Sequence, residues 1–422
     1  MSGNLKYRQN VMNPAKSVVK KPPPVGSKRS LKRKRLIELA SIQMNRWGTA
    51  SVDLAKIGAE MGISRNTVYY YFEDKHALTS ACYEEAVRHA ESALDAALEQ
   101  GGAYFDKLSA FVGYVLNEQA YSIAVMSDLE LTSSNVSQKL RSRQVQVLGG
   151  VQELVESGIG AGEFRELSPA LVARVLLSML EWKRLWSAFM GHGPEALNEN
   201  AQEITRWISR GVIIDPAYYL NSAPRLDDVL HTSVDVMNPG SISEGKRNHL
   251  IGAASALFNR RGIDATTMED IARALNSTTG FMYHYVQDKE HLVRLCYDRA
   301  FEVYERIWEA GQLCGSGTAN SLMSSLHLNA QAQLSDCPPI IIQSELANLP
   351  SAYRERSSLI WNKYAGDVRH AIKNKVAYPG SEKMVDVSAG AFFWLGKSEQ
   401  SKFDLANAPN QIVDLIAHGL CP

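Results

Sequence analysis

The residues at 64–75 have the types and the spacing to engage a flat, hydrogen-bonding target. Ser64, Arg65, Asn66 and Thr67 are consecutive, Tyr69 and Tyr70 follow, and Lys75 stands five residues beyond. The planar fork of an arginine matches the paired acceptors of guanine, and an asparagine amide matches the donor–acceptor edge of adenine. Tyrosine hydroxyls and a lysine ammonium at a helix start suit phosphate oxygens. No rival chemistry stands out elsewhere. His192, His327 and His370 are isolated, with no Ser/His/Asp or metal-ligand spacing around them. The five cysteines, Cys82, Cys296, Cys314, Cys337 and Cys421, form no CxxC pair and read as reduced thiols. The expectation is no catalytic site, no metal and no cofactor.

The same pattern occurs twice. Residues 32–86 align with 246–300 at a constant offset of 214, without a gap, and 18 of 55 positions are identical. Arg33/Arg247, Leu36/Leu250, Gly48/Gly262, Ile57/Ile271, Tyr69/Tyr283, Lys75/Lys289 and Cys82/Cys296 are among them. Internal repeats set architecture, and a gapless match of this length indicates duplication. In the second copy Thr278, Thr279, Gly280 and Phe281 replace Ser64 to Thr67, followed by Tyr283, His284 and Lys289. Phe281 suits a thymine methyl group; the arginine and asparagine are gone.

Each copy predicts three short helices and the start of a longer one. Leu36, Ile37, Ala40 and Met44 fall at helical spacing, and Gly48 stops that helix. The second helix starts near Ser51, capped by Ser51 or Asp53; in copy two Thr266 and Glu269 read as its capping box. A tight turn follows at Gly62 or Asn276, residues that tolerate the left-handed backbone. A third helix is expected over 64–72 or 278–286, and a fourth from Lys75 or Lys289: a helix-turn-helix plan. Tyr71, Phe72, Tyr285 and Val286 fall on its core face. Ser277 for Ile63 and Val286 for Phe72 thin the apolar set of the second copy.

Composition places this plan in a two-part chain. At 422 residues more than one domain is expected. Charged residues are 21% and hydrophobic ones 45%, and no long apolar run predicts a membrane span or a signal peptide, so a cytoplasmic location is expected. Lys and Arg number 45, as do Asp and Glu, yet residues 1–35 hold eleven basic residues and no acidic one. The remainder is net −11. A basic arm on an acidic body points to a polyanionic partner, or else to a solubilising tail. Lys28, Arg29, Lys32, Arg33, Lys34 and Arg35 run straight into the first predicted helix and are expected to add salt-dependent affinity, with a minor groove as one place for them.

The segments IGAEMGISRNTVYYYFEDKHAL (57–78) and IARALNSTTGFMYHYVQDKEHL (271–292) resemble the signature of TetR/AcrR-family transcription regulators. The resemblance covers about 55 residues in each half. It implies an all-α fold of two tandem units, each a DNA-binding head followed by a helical domain for ligand binding and dimerisation. The expected order is a disordered basic tail (1–27), first head (28–75), first helical domain (76–215), linker (216–242), second head (243–289) and second helical domain (290–422). It implies double-stranded operator DNA as partner, with contacts from Arg33, Ser51, Ser64, Arg65, Asn66, Thr67, Tyr69, Tyr70 and Lys75. In the second head they come from Thr266, Thr278, Thr279, Gly280, Phe281, Tyr283, His284 and Lys289. It also implies a small, largely apolar effector, with acyl-CoA or another lipid or aromatic catabolite as the ligand class, and repression relieved by it.

In the helical remainders, 172–189 carries Leu176, Leu180, Trp182, Leu185, Trp186 and Phe189 on one broad apolar face, and Phe392, Phe393 and Trp394 occupy the corresponding late position. The family builds its subunit interface there. Trp182, Trp186, Phe392, Phe393 and Trp394 are therefore expected at a contact between the halves, an intramolecular pseudo-dimer reading an asymmetric operator. A homodimer of tandem chains, and a DNA-architectural or protein-interaction module without effector sensing, remain the alternatives.

Overall fold

The structure, a computed structural model, describes residues 27–126, 134–218, 220, 224–230, 239–314, 318–341, 349–381, 390–392, 395 and 407–422. The expected disordered tail, up to residue 26, lies outside them, as do Phe393 and Trp394. Among the described residues the chain is helical, with one isolated antiparallel bridge, Ile213 to Ala377. No helix there is long and apolar enough to cross a membrane.

The first half runs α1 (Lys28–Trp47), α2 (Leu54–Glu60), α3 (Arg65–Tyr71), α4 (Lys75–Leu98), α5 (Tyr104–Val115), α6 (Ser134–Gly160), α7 (Pro169–Met190) and α8 (Glu195–Arg210). A short α9 (Leu226–Leu230) lies in the connecting segment. The second half repeats the plan as α10 (Pro239–Arg261), α11 (Met268–Ala274), α12 (Thr279–Tyr283), α13 (Lys289–Leu313), α14 (Thr318–Leu334), α15 (Ser351–Lys373) and α16 (Ala408–His418).

Side-chain caps set the starts of the head helices. Ser27, Asp53, Ser64 and Asp74 each accept a backbone N–H at the first turn of α1 to α4 in order. Each supplies an acceptor for a donor the helix leaves free. The capping box of α11 is one residue later than the sequence pattern indicated. Thr267 and Asp270 form it, while Thr266 is buried and donates its hydroxyl to the Gly262 carbonyl at 2.7 Å. The spacing rule fits both registers by eye; burial of Thr266 decides between them.

The first head has its own apolar core. Leu36, Ile37, Ala40, Met44, Ile57, Val68, Phe72, Leu78 and Tyr83 pack with Ile123, Ala124 and Met126 from the connection after α5. The matching residues of the second head, Leu250, Ile251, Ala254, Phe258, Ile271, Met282, Val286 and Tyr297, instead belong to one continuous core running through both helical domains. In each half a buried asparagine on the first helix joins head to body. Asn45 donates to the Ile123 carbonyl at 2.8 Å and accepts from the Val125 N–H at 2.7 Å. Asn259 makes the same pair with Pro339 and Ile341, at 2.9 and 2.8 Å. A buried amide satisfied on both sides fixes one packing and penalises others.

The segment between the halves is not a bare tether. Leu226, Val229 and Leu230 of α9 lie against Val303, Ile307, Leu328 and Ala332 of the second half. The halves also touch directly. Trp182 and Trp186 of α7 stack at 5.5 Å and both meet Trp361 of α15, at 6.4 and 6.0 Å. Phe392 is buried in the same core, and a Cβ on Gly390 would lie 2.7 Å from that of Trp182. Arg165 pairs with Asp414 at 3.1 Å, and Trp207 donates to the Ile416 carbonyl at 3.2 Å. Backbone bonds join Ile213 to Ala417 and Ile214 to Val376, each at 2.9 Å. The crossing is so close at Gly211 (φ +68°) that a Cβ there would sit 2.2 Å from the Ala417 oxygen, so only glycine serves.

Candidate nucleic-acid interface

Helix α3 presents its polar face outward. Its N-terminal turn carries Arg65 and Asn66, both exposed, while Val68 and Phe72 anchor the opposite face in the core. Ser64 is the cap: its hydroxyl accepts the Thr67 N–H at 3.2 Å and lies 2.9 Å from the Thr67 hydroxyl. Those two side chains are therefore engaged with each other, and Arg65 and Asn66 stand exposed outside the cap. The Arg65 guanidinium donates to the Tyr69 hydroxyl at 2.9 Å, and this bond holds its proton more firmly than usual.

Helix α1 adds cations to the same surface. The guanidinium of Arg29 lies 4.7 Å from the Tyr70 ring centre, and that of Arg33 lies 4.9 Å from Phe72. Arginine over an aromatic face is a cation–π contact, and it fixes the position of the charge beside α3. Burial lowers the pKa of Arg33. Residues 28–35 are helical and form a fixed basic strip. Arg29 belongs to the basic run read from the sequence, but its contact with Tyr70 comes from the fold.

Lys75 is less free than its sequence position indicated. Its ammonium donates to the Ala50 carbonyl at 2.5 Å, and burial lowers its pKa against the opposing pull of Asp264 and Asp53. Lys289 makes the matching contact with the Asp264 carbonyl, at 3.5 Å. Ser51 donates its hydroxyl to Gly48 at 2.6 Å. The heads meet where they are equivalent: the Ala50 N–H donates to the Asp264 carboxylate at 2.7 Å, and the two positions are 214 apart. Sequence comparison alone held no sign of that contact.

The second head departs from the first. Helix α12 has five residues against seven in α3, shorter than the expected 278–286. Thr278 spends its hydroxyl capping it, accepting from Phe281 at 3.3 Å. Thr279 and exposed Gly280 stand where Arg65 and Asn66 do. Phe281 is half-buried, edge-on to Tyr285 at 5.2 Å, and so faces its own head as much as solvent. Tyr283 and His284 are exposed. Thr266, sealed in the core, is removed from the list of contact candidates. Head one (28–75) holds ten basic and five acidic residues, head two (243–289) six and five.

Among the described residues no cluster of His, Cys, Asp or Glu has the arrangement of a metal site. Cys82 and Cys296 are buried, each beside the carbonyl of Ile37 or Ile251, and burial pushes both thiols up to about 12. Such thiols are inert packing groups.

An all-helical chain with two helix-turn-helix heads, each followed by a helical body, defines the class. Residues 36–82 and 250–296 both match the family "Bacterial regulatory proteins, tetR family", and residues 106–212 match "Tetracyclin repressor-like, C-terminal domain". The chain belongs to the TetR family, in a tandem form with a duplicated head. It is similar to the HTH-type transcriptional regulator HbdR of Aromatoleum sp. (strain CIB), 32% identical over 71 residues, 17% of this chain and 31% of that protein. It is 38% identical over 71 residues to the HTH-type transcriptional repressor KstR2 of Rhodococcus jostii (strain RHA1), 16% of this chain and 35% of that one. The chain thus spans about a third of the length of these relatives. Among solved structures, the TetR-family regulator PfmR of Thermus thermophilus is 22% identical, covering 42% of this chain and 98% of its own, with a TM-score of 0.35. These relatives are transcription regulators, not enzymes.

Proposed function

We propose that the chain is a sequence-specific DNA-binding transcription regulator of the repressor type, in which the two halves act as an intramolecular pseudo-dimer on an asymmetric operator. The observation that carries this reading is the surface of head one. Arg65 and Asn66 stand exposed at the start of α3, flanked by Arg29 and Arg33 on aromatic rings. On this reading Arg65 and Asn66 meet base edges, while Tyr69, Tyr70 and the cations of α1 meet phosphate. Tyr283, His284 and Thr279 are the contacts of the second head. The shared core and the Trp182–Trp186–Trp361 cluster support pairing within one chain. A small, largely apolar effector of the lipid- or aromatic-catabolite class, acyl-CoA included, releases the DNA in the cytoplasm.

Selection of bound DNA from a random pool, with native mass measured on the complex, tests the reading. The expected result is a one-chain particle on two unlike half-sites in fixed order. A strict palindrome bound only by a two-chain particle overturns the pseudo-dimer, and absence of any enriched sequence overturns sequence-specific reading.

A further inference from the structure

The first helical domain holds a cavity of about 80 Å³ between α4, α6 and α7. Its walls are largely apolar, with Val87, Val147, Leu148 and Leu177 among them. The polar lining is Gln144 of α6 and one face of α7, where Arg174, Glu181 and Arg184 stand together with Leu177. Steps of three and four residues put all four on one side of a helix.

Arg184 is buried, with 5% of its side chain exposed, and its Nε and Nη1 atoms have no hydrogen-bond partner. Its Nη2 lies 3.8 Å from Glu181, beyond hydrogen-bonding reach. The Nε of Arg174 is also buried without a partner. Among the described residues Glu181 is the carboxylate that acts on both guanidiniums, so there two cations share one anion. An arginine cannot shed its proton to escape burial, and an uncompensated buried charge is strongly unfavourable. His89, which feels Arg184, stays neutral: burial first and Arg184 second push it down to about 4. Among the described residues no side chain satisfies these donors, and they border a largely apolar chamber.

We propose that this cavity binds an amphiphilic oxyanion, a carboxylate or phosphate monoester on a short apolar chain. The oxyanion lies on Arg184 and Arg174, and the chain lies against Leu177, Val87 and Leu148. An engineered apolar cavity of ~150 Å³ takes a benzene ring, so a chamber of about 80 Å³ takes a shorter tail, or the acidic end of a longer one. That the ligand acts as effector rests on the regulator reading above; that it binds does not.

Calorimetry on the full chain with hexanoate, hexyl phosphate and hexanol separates the cases. One anion site per chain is expected, with hexanol weaker by about 10- to 100-fold, the range of one charge-assisted hydrogen bond. The tighter of the two anions identifies the headgroup. In Arg184→Met the preference for anions disappears while the melting temperature of the unliganded protein holds or rises, because a buried unpaired charge is gone. Arg174→Gln weakens anion binding in the same direction and serves if the first variant does not fold. The proposal is overturned if neither anion binds, if hexanol binds as well as hexanoate, or if Arg184→Met keeps its hexanoate affinity. It is overturned equally if Arg184→Met lowers the melting temperature of the unliganded protein, since that marks a structural ion pair with Glu181. DNA release is read separately: anion binding that leaves DNA affinity unchanged removes the effector role and leaves the site standing.

Discussion

The two heads began as one sequence and now differ in three physical respects. Head one keeps a separate core, a seven-residue α3 and the basic strip of α1. Head two has merged its core with the body, shortened its third helix to five residues and replaced Arg65 and Asn66 by Thr279 and Gly280. Glycine in a helix costs about 0.5–1 kcal/mol relative to alanine, so α12 is intrinsically weak and depends on its packing. The difference teaches that duplication preserved the scaffold and divided the labour. One head carries the larger basic charge and the exposed Arg65 and Asn66, and the core of the other is continuous with the body.

The largest expected effect probes the cores. Leu36 and Leu250 are equivalent and both fully buried; truncating either to alanine costs about 2–5 kcal/mol. Leu36→Ala should melt head one ahead of the body, seen as non-coincident transitions by hydrogen exchange and circular dichroism. Leu250→Ala should lower the main transition. Equal shifts of one shared transition would erase the contrast between the heads.

A second, smaller effect concerns reading. Arg65→Ala should cost about 1–3 kcal/mol in operator affinity and relax preference at one base pair. Thr279→Ala should stay within about 0.5 kcal/mol, the range of surface changes. Operator titrations of the two variants settle it; a larger loss from Thr279→Ala would reverse the assignment of labour.

The smallest effect lies where the heads meet. Asp264→Ala removes the acceptor of the Ala50 N–H, an exposed bond worth about 0.5–1.5 kcal/mol. Faster amide exchange at Ala50 is the expected readout, and an unchanged rate removes this bond from the joint between heads. Lys75→Ala should lower the salt slope of DNA binding by about one if its ammonium leaves Ala50 for phosphate; an unchanged slope would leave it a structural group.

Much of this was legible in the chain. The repeat offset set the two heads, and the 3.6-residue period placed α1 to α4 and α10 to α13. Arg65, Asn66, Tyr69 and Tyr70 sit on the outer face that spacing assigned them. What escaped depended on contacts between distant residues. Thr266 and Thr267 are adjacent hydroxyls, and only burial tells the cap from the core residue. Trp361 joins Trp182 and Trp186 from α15, a contact that no pattern within either helix announces. Asn45 and Asn259 did leave a signal: a polar identity on an otherwise apolar helix face in both copies. Arg174 left none, because an arginine on an amphipathic helix reads as solvated until its surroundings are known.

The contacts between the halves join unlike residues, Arg165 with Asp414 and the α7 tryptophans with Trp361 of α15. A two-fold dimer must be self-complementary, with every contact mirrored. A seam within one chain is under no such rule. Fusion keeps both sides of the seam on one polypeptide. It also lets a substitution appear in one head without being copied into the other, the freedom through which Arg65 and Thr279 came to differ.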